Sequence, residues 1–499
     1  MYIIHFNVPT ATDGLDDVYG TSLALLTDLY QLTMACGYWK AGTSEREAVF
    51  HLTFRKSPFG GGYAIAAGIA PAIAYLRRMR FAADDLAYLK TLRDSEDKQL
   101  FETGFLDYLA KLEMGVTVDA VPEGSVVFPH EPILRVRGPI AHAQIVETAL
   151  LTMINFQTLV ATKASRVCIA ARGAPVVEFG LRRAQGLDGG VGASRAAYIG
   201  GCAATSNVLA GKLLGIPVKG THAHSWVMFY GDELEAFRAY ADALPGNTTF
   251  LVDTYDTLRG VRHAIEVGNE LRARGHELGG VRLDSGDLAH LSAEARKMLD
   301  AAGFPDAQIV ASNDLDENII SSLHDQGARV DVWGVGTKLV TAYDQPALGG
   351  VYKLGATFDP DGTRHDAIKL SEQPIKISNP GTLQVHRLRR GSELAGDIIY
   401  DDAHGLTTPH AIHDIENPSR SPYLPTSDSG SDLLKPAFAR GAFVGEFSLE
   451  AARERAAADL AALSPRTRRF LNPQPYPVGL DPYVHQHKLE MIAVARAKR

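Results

Sequence analysis

Cysteine is scarce in this 499-residue sequence: Cys36, Cys168 and Cys202 are the only three, far apart and without CxxC spacing. That argues against a disulfide framework and a zinc site, and it fits a reducing compartment. Long apolar runs are missing too. The most apolar stretch, residues 64–76, contains Gly68 and Pro71 and is too short to span a bilayer. The opening Met1-Tyr2-Ile3-Ile4-His5-Phe6 has no basic stretch, and its apolar run is too short for a signal peptide. A cytoplasmic protein with no membrane partner is therefore expected. No basic tail or stripe occurs; the net charge is −8, with both signs mixed, so nucleic acid is not an expected partner. There is no GxxxxGK[ST], so any use of ATP would not rely on a P-loop. HExxH and GxSxG are also absent, as are internal repeats and low-complexity tracts.

What is present reads as a globular protein, 45% hydrophobic and 22% charged, long enough for two or three domains. After a polar arm to about residue 20, helical periodicity begins at 27–34, with Thr27 or Asp28 placed to cap it. A strand-like segment, 48–54, and a glycine-rich turn, 55–62, come next. Amphipathic helices are expected over 84–113, antiparallel β structure over 115–138 and helix over 141–171. A different rhythm then begins. Short apolar strands (175–179, 216–218, 249–252, 280–283, 308–311 and 330–333) alternate with helices, which implies parallel strands with crossover helices. Polar residues gather at the C-terminal end of nearly every strand: Arg182 and Arg183, Thr221 to His224, Asp253 and Asp256, Asp284 to Asp287, Ser312 and Asn313, Gly336 and Thr337. In a (β/α) barrel that rim is the active-site face. The expected fold is α/β with an incomplete barrel; a doubly wound open sheet is the structural alternative, but no GxGxxG follows the first strand. After about residue 351 the pattern reads as irregular β and turns, with an exposed loop over 418–432. A last helix over 448–463 has Ser448 as its cap and Pro465 as its terminator.

Several rim segments could carry chemistry. Gly220-Thr221-His222-Ala223-His224-Ser225-Trp226 places two histidines on a short strand-to-helix loop. A lone histidine is ordinarily structural, and position at a strand end is what raises His224 to a candidate. In Arg282-Leu283-Asp284-Ser285-Gly286-Asp287, the two carboxylates could bind ribose hydroxyls or Mg²⁺, or cap the next helix. Arg282 could grip a substrate carboxylate. Gly334-Val335-Gly336-Thr337 offers backbone amides to a phosphate, though such turns are common. Lys163 and Arg166 lie a turn apart on one helix face: solvated surface is the plain reading, a cationic substrate contact the other. Phe179 is by default a core residue beside Arg182.

Six motifs together resemble the nicotinate phosphoribosyltransferase family: residues 27–34, 54–63, Glu178-Phe179-Gly180-Leu181-Arg182-Arg183, 220–226, 282–287 and 334–337. The resemblance implies an incomplete α/β barrel with an α/β sandwich domain built from the N- and C-terminal segments, here 1–150 and 351–499 around a barrel over 151–350. It implies transfer of a phosphoribosyl group from 5-phosphoribosyl 1-diphosphate (PRPP) to nicotinate, the first step of NAD salvage from nicotinate, with Mg²⁺ and with ATP as co-substrate. ATP hydrolysis would be coupled through a phosphohistidine at His224. Thr221, Arg282 and Tyr30 would contact nicotinate, Tyr30 reaching in from the partner subunit of a homodimer. Phe179 would stack on the pyridine, and Arg182 would contact it or the ribose phosphate. Gly336 and Thr337 would hold the PRPP phosphate, and Asp284 the ribose hydroxyls or Mg²⁺, with Asp287 a further metal candidate. Three rivals remain: a nicotinamide phosphoribosyltransferase, which would need an acid near Thr205-Ser206-Asn207; a phosphosugar lyase or isomerase, which would need a strand-end base; and a non-catalytic paralogue.

Overall fold

The computed structural model describes residues 22–415, 429–439, 441–445 and 447–497. The expected N-terminal arm and most of the expected 418–432 loop lie outside them. Two compact units divide the chain, one made of 1–159 with 347–499, the other of 160–346. Together they are the expected α/β fold, an incomplete barrel and a mixed sandwich built from both chain ends.

In the discontinuous unit, the strand Glu47–Thr53 pairs antiparallel with Leu134–Pro139 on one side and with Val351–Phe358 on the other. Its inner residues are all buried, enclosed between one strand of the N-terminal segment and one of the C-terminal segment. Phe50 stacks on Tyr352, with ring centroids 4.8 Å apart, and the Tyr352 hydroxyl donates to Ala143 O. The region after 351 is more regular than expected. Leu383–Arg390 and Glu393–Asp401 form a long hairpin, and Ser429–Asp432, expected as loop, pairs with the first of these strands. Buried charge conceals these strands in the sequence: Arg387 is 2% exposed and pairs with Asp397, and Asp459 joins them from the helix Leu449–Ala462. Ser448 does cap that helix, accepting from Ala451 N.

The second unit carries a six-stranded parallel sheet. Its spatial order is Ala204–Thr205, Val176–Glu178, Val332–Val335, Gln308–Ala311, Gly280–Leu283, Thr249–Leu251. A parallel bridge from Thr205 to Val218 extends it by one position. Read from Val176–Glu178, the spatial order and the chain order trace the same circle, interrupted between Val218 and Thr249–Leu251. This is a barrel with one seam. At the seam the Leu251 amide, which has no neighbouring strand to receive it, donates to His222 Nε2 at 3.2 Å. Three local expectations change. The segment 216–218 is reduced to a bridge, and the strand position beside it belongs to Ala204–Thr205, too short for any periodic signal. The last strand lies two residues later than 330–333. The loop around His224 also contains a short helix, His224–Tyr230, ended by Gly231 at φ +74°.

Candidate active site

The strand ends of the second unit bring most of the expected rim residues together. Arg282, on the strand Gly280–Leu283, is held at three points. Its Nε donates to Ser312 Oγ at 2.8 Å, Nη1 to Thr221 Oγ1 at 3.2 Å and Nη2 to Asp284 Oδ1 at 2.9 Å. The guanidinium carbon lies 5.3 Å from the centre of the Phe179 ring. Phe179 follows the strand Val176–Glu178, and its amide donates to Val335 O. Its ring lies across Gly334, where an added Cβ would come within 2.6 Å of Phe179 Cδ2. Gly334 is thus required by the ring's approach. The turn beneath Phe179 is fixed by the buried Glu178, which accepts from Ser194 Oγ, Thr205 Oγ1 and Gly180 N. Gly336, with Thr337 after it, passes beside Phe179 and Gly180. Arg182 is exposed in the turn Leu181–Arg183.

The two histidines have different surroundings. His222 is 8% exposed and packed among Phe237, Tyr240 and Phe250. Nε2 accepts the Leu251 amide and Nδ1 reaches Ala223 O at 3.4 Å. Burial lowers its pKa to about 4, so the ring is neutral and structural at neutral pH. His224 has a half-open side chain. Nδ1 lies 3.1 Å from Thr254 Oγ1, while Nε2 faces Asp253 Oδ1 and Asp284 Oδ2, each at 4.0 Å.

Asp253 was expected only as one of a rim pair, yet it is central. Its side chain is 1% exposed. Oδ2 accepts from Asp284 N and Ser285 Oγ, whereas Oδ1 is buried without a hydrogen-bond partner. Its rim companion Asp256 caps the next helix, accepting from Arg259 N. The strand end was legible in the sequence; which of the two carboxylates turns inward depends on the loop. Two converging carboxylates with an unpartnered buried oxygen suit Mg²⁺, which binds through one or two carboxylates together with substrate phosphates. Among the described residues no group of three or more His, Cys, Asp or Glu could hold a metal by itself. Asp287 is occupied differently: it caps the helix Leu288–Ala301, accepting from His290 N.

Lys163 and Arg166 are not solvated surface. Lys163 is fully buried, with Nζ 2.7 Å from Glu317 and 2.6 Å from Asp344, and Arg166 Nε lies 2.7 Å from Glu317. Lys338, beside Thr337, pairs with Asp316 at 2.7 Å. Tyr30 belongs to the other unit, half-exposed on the helix Leu29–Lys40. Burial, Glu147 and Asp28 raise its hydroxyl pKa.

Known proteins are similar to this chain in sequence and in fold. The family profile of the nicotinate phosphoribosyltransferase (NAPRTase) N-terminal domain matches residues 25–155, and that of the C-terminal domain matches 384–488. The nicotinate phosphoribosyltransferase of Bacillus subtilis is 44% identical over 487 residues, covering 96% of both chains. One from Mycobacterium tuberculosis is 41% identical over 461 residues, covering 92% of this chain and 91% of its own. The crystal structure of human nicotinic acid phosphoribosyltransferase superposes with a TM-score of 0.80 at 32% identity, over 93% of this chain and 99% of its own. With full-length identity above 40% and one shared architecture, this chain belongs to the nicotinate phosphoribosyltransferase family.

Proposed function

We propose that this protein joins nicotinate to PRPP, giving nicotinate mononucleotide and pyrophosphate, as the first step of NAD salvage from nicotinate. ATP hydrolysis is coupled to the reaction through phosphorylation of His224, which makes the enzyme an ATP-dependent ligase. The observation that carries the reading is the Arg282 guanidinium held under Phe179, beside a carboxylate pair that faces a half-open histidine.

Nicotinate offers an aromatic ring and a carboxylate. Phe179 supplies a flat apolar face, and Thr221 and Arg282 supply donors for the carboxylate. Asp284 neutralises part of the guanidinium charge, but three fixed partners pre-set its orientation, so little freedom is lost on binding. Gly336, Thr337 and Arg182 line the neighbouring strand ends where a ribose phosphate would lie. The pyridine nitrogen attacks C1 of the ribose as pyrophosphate departs, so positioning dominates over proton transfer. Mg²⁺, held by Asp253 and Asp284, would stabilise charge on the departing diphosphate. Phosphate on His224 adds negative charge beside that site. It favours substrate and product states differently, and this difference is what couples ATP cleavage to synthesis.

Lys163 and Arg166 act in this reading through the Glu317–Asp344 cluster that braces the segment after Thr337. A homodimer in which Tyr30 of the partner subunit closes the nicotinate site completes the proposal, in the cytoplasm. Nicotinamide is the weaker substrate candidate. Residues 205–207 contain no acid, Thr205 is bound to Glu178, and Asn207 caps the helix Val208–Leu214. The test is to incubate the purified protein with PRPP, Mg²⁺ and either nicotinate or nicotinamide, with and without ATP. ATP-stimulated nicotinate mononucleotide is expected. Mononucleotide from nicotinamide alone would overturn the substrate assignment.

A further inference from the structure

Five charged side chains meet in the core of the discontinuous unit. Arg387, on the strand Leu383–Arg390, grips Asp397 of the neighbouring strand: Nη2 donates to Oδ2 at 2.5 Å and Nε to Oδ1 at 3.0 Å. Asp459, on the helix Leu449–Ala462, accepts from Val126 N and from Arg389 Nη2, and lies 3.5 Å from Arg387 Nη1. Glu131 closes the turn 128–131. Its Oε2 accepts the Phe128 amide at 3.0 Å and stays 4.0 Å from Arg387 Nη2. Glu131 and Asp397 are fully buried and Asp459 nearly so, whereas of the two guanidiniums only Arg387 is enclosed with them. The carboxylates therefore outnumber the cations. Hydrogen bonding locates the surplus. Asp397 is supplied with donors, for the Tyr476 hydroxyl also donates to its Oδ1 at 3.0 Å; burial and then the Asp397 charge raise that phenol, so it remains a donor. Glu131 Oε1, by contrast, is buried without a hydrogen-bond partner among the described residues, although Asp397 lies within hydrogen-bond reach of the Glu131 carboxyl. Two ionised carboxylates only accept, so neither can satisfy the other; a proton between them supplies the missing donor.

We propose that one proton, carried by Glu131 and donated to Asp397, locks the turn 128–131 onto the hairpin Leu383–Arg390/Glu393–Asp401, and that its loss in alkali releases the turn. With the proton in place the turn is tied through Phe128. The amide is held by Glu131, and the ring stacks on Tyr476 with centroids 3.9 Å apart, which in turn is held by Asp397. Without it, two buried carboxylates of one sign compete for a single enclosed guanidinium, and the turn is pushed away from the strand. Burial first and Asp397 second push the Glu131 carboxyl well above the usual carboxylate range, in the same direction. A carboxyl raised in this way holds its proton longer in the folded chain than in the unfolded one. Its stabilisation is complete below the unfolded pKa near 4.5 and is lost as pH rises through the folded one.

The experiment uses the full-length protein, as wild type and Glu131→Gln. Glutamine is the neutral isostere of the protonated acid: its NH₂ can donate to Asp397 while its carbonyl accepts the Phe128 amide. Infrared spectra of protein carrying carboxyl-¹³C glutamate report a protonated glutamic acid at neutral pH. Denaturant midpoints of the two proteins are compared from about pH 5 to about pH 9. Wild type should show the protonated-carboxyl band and Glu131→Gln should lack it. Relative to Glu131→Gln, the folding constant of wild type should fall about tenfold per pH unit, the effect of one proton, until the lock has opened. No such band in wild type, a band of undiminished size in Glu131→Gln, or stability curves that stay parallel would overturn the lock. The labelled wild-type spectrum decides between the outcomes even where Glu131→Gln does not fold.

Discussion

Replacing His222 by glutamine should change how stability depends on pH, by an amount that the structure sets. The imidazole titrates near 4 in the folded chain because burial penalises the cation, and near 6.5 when unfolded. Its folded pKa is lowered, so the unfolded state binds more protons between these values, and stability falls as pH falls through that window. Relative to neutral pH, the histidine should cost about 2 kcal/mol by about pH 5 and about 3 kcal/mol by about pH 4. Protonation also removes the Nε2 lone pair that receives the Leu251 amide, so the loss should concentrate at the barrel seam. Glutamine retains an acceptor and does not titrate. The assay compares denaturant midpoints of wild type and His222→Gln from about pH 7 to about pH 4, with the His222 ring titration followed by NMR. The two stability curves should converge on acidification, because other acid-sensitive groups, including the buried His51, are common to both. Parallel curves, or a His222 ring that titrates near 6.5, would refute the structural assignment of this histidine.

Arg282→Lys retains the charge but loses the three-point hold on Ser312, Thr221 and Asp284; steady-state kinetics should show KM for nicotinate rising roughly tenfold to a hundredfold. Gly334→Ala puts a methyl group within 2.6 Å of the Phe179 ring, which must then shift; KM for nicotinate should rise with little change in the thermal midpoint. Lys163→Met leaves the buried Glu317 without one of its cations. Denaturation should show a loss of about 3 to 5 kcal/mol, the range for breaking one partner of a buried ion pair.

Much of the barrel was legible because its strands are short, apolar and β-branched, with polar residues at one end. Four of the expected strands, those at 175–179, 249–252, 280–283 and 308–311, lie within one residue of their positions, and the one expected at 330–333 lies two residues later. What escaped has identifiable causes. Ala204–Thr205 is held by ladder bonds to Val176–Glu178 and offers no period of its own. Leu383–Arg390 carries Arg387 into the core, which only its pairing with Asp397 makes tolerable. In the site, Arg282, Asp284, Thr221 and Phe179 were visible as types at strand ends, and the fold converges them. Asp253 was visible only as one of a rim pair with Asp256, because which of the two carboxylates turns inward depends on how one loop runs. The two histidines of one motif differ physically in a way no motif shows: the His222 ring is enclosed and engaged at both nitrogens, and the His224 ring faces two carboxylates at the rim.

Phosphate uptake tests the central claim most directly. Wild type, His224→Asn and His222→Gln are incubated with Mg²⁺ and ATP labelled at the γ-phosphate, and acid-labile, alkali-stable protein phosphate is counted. Wild type and His222→Gln should take up label, and His224→Asn should take up none. Label persisting on His224→Asn while absent from His222→Gln would contradict the account.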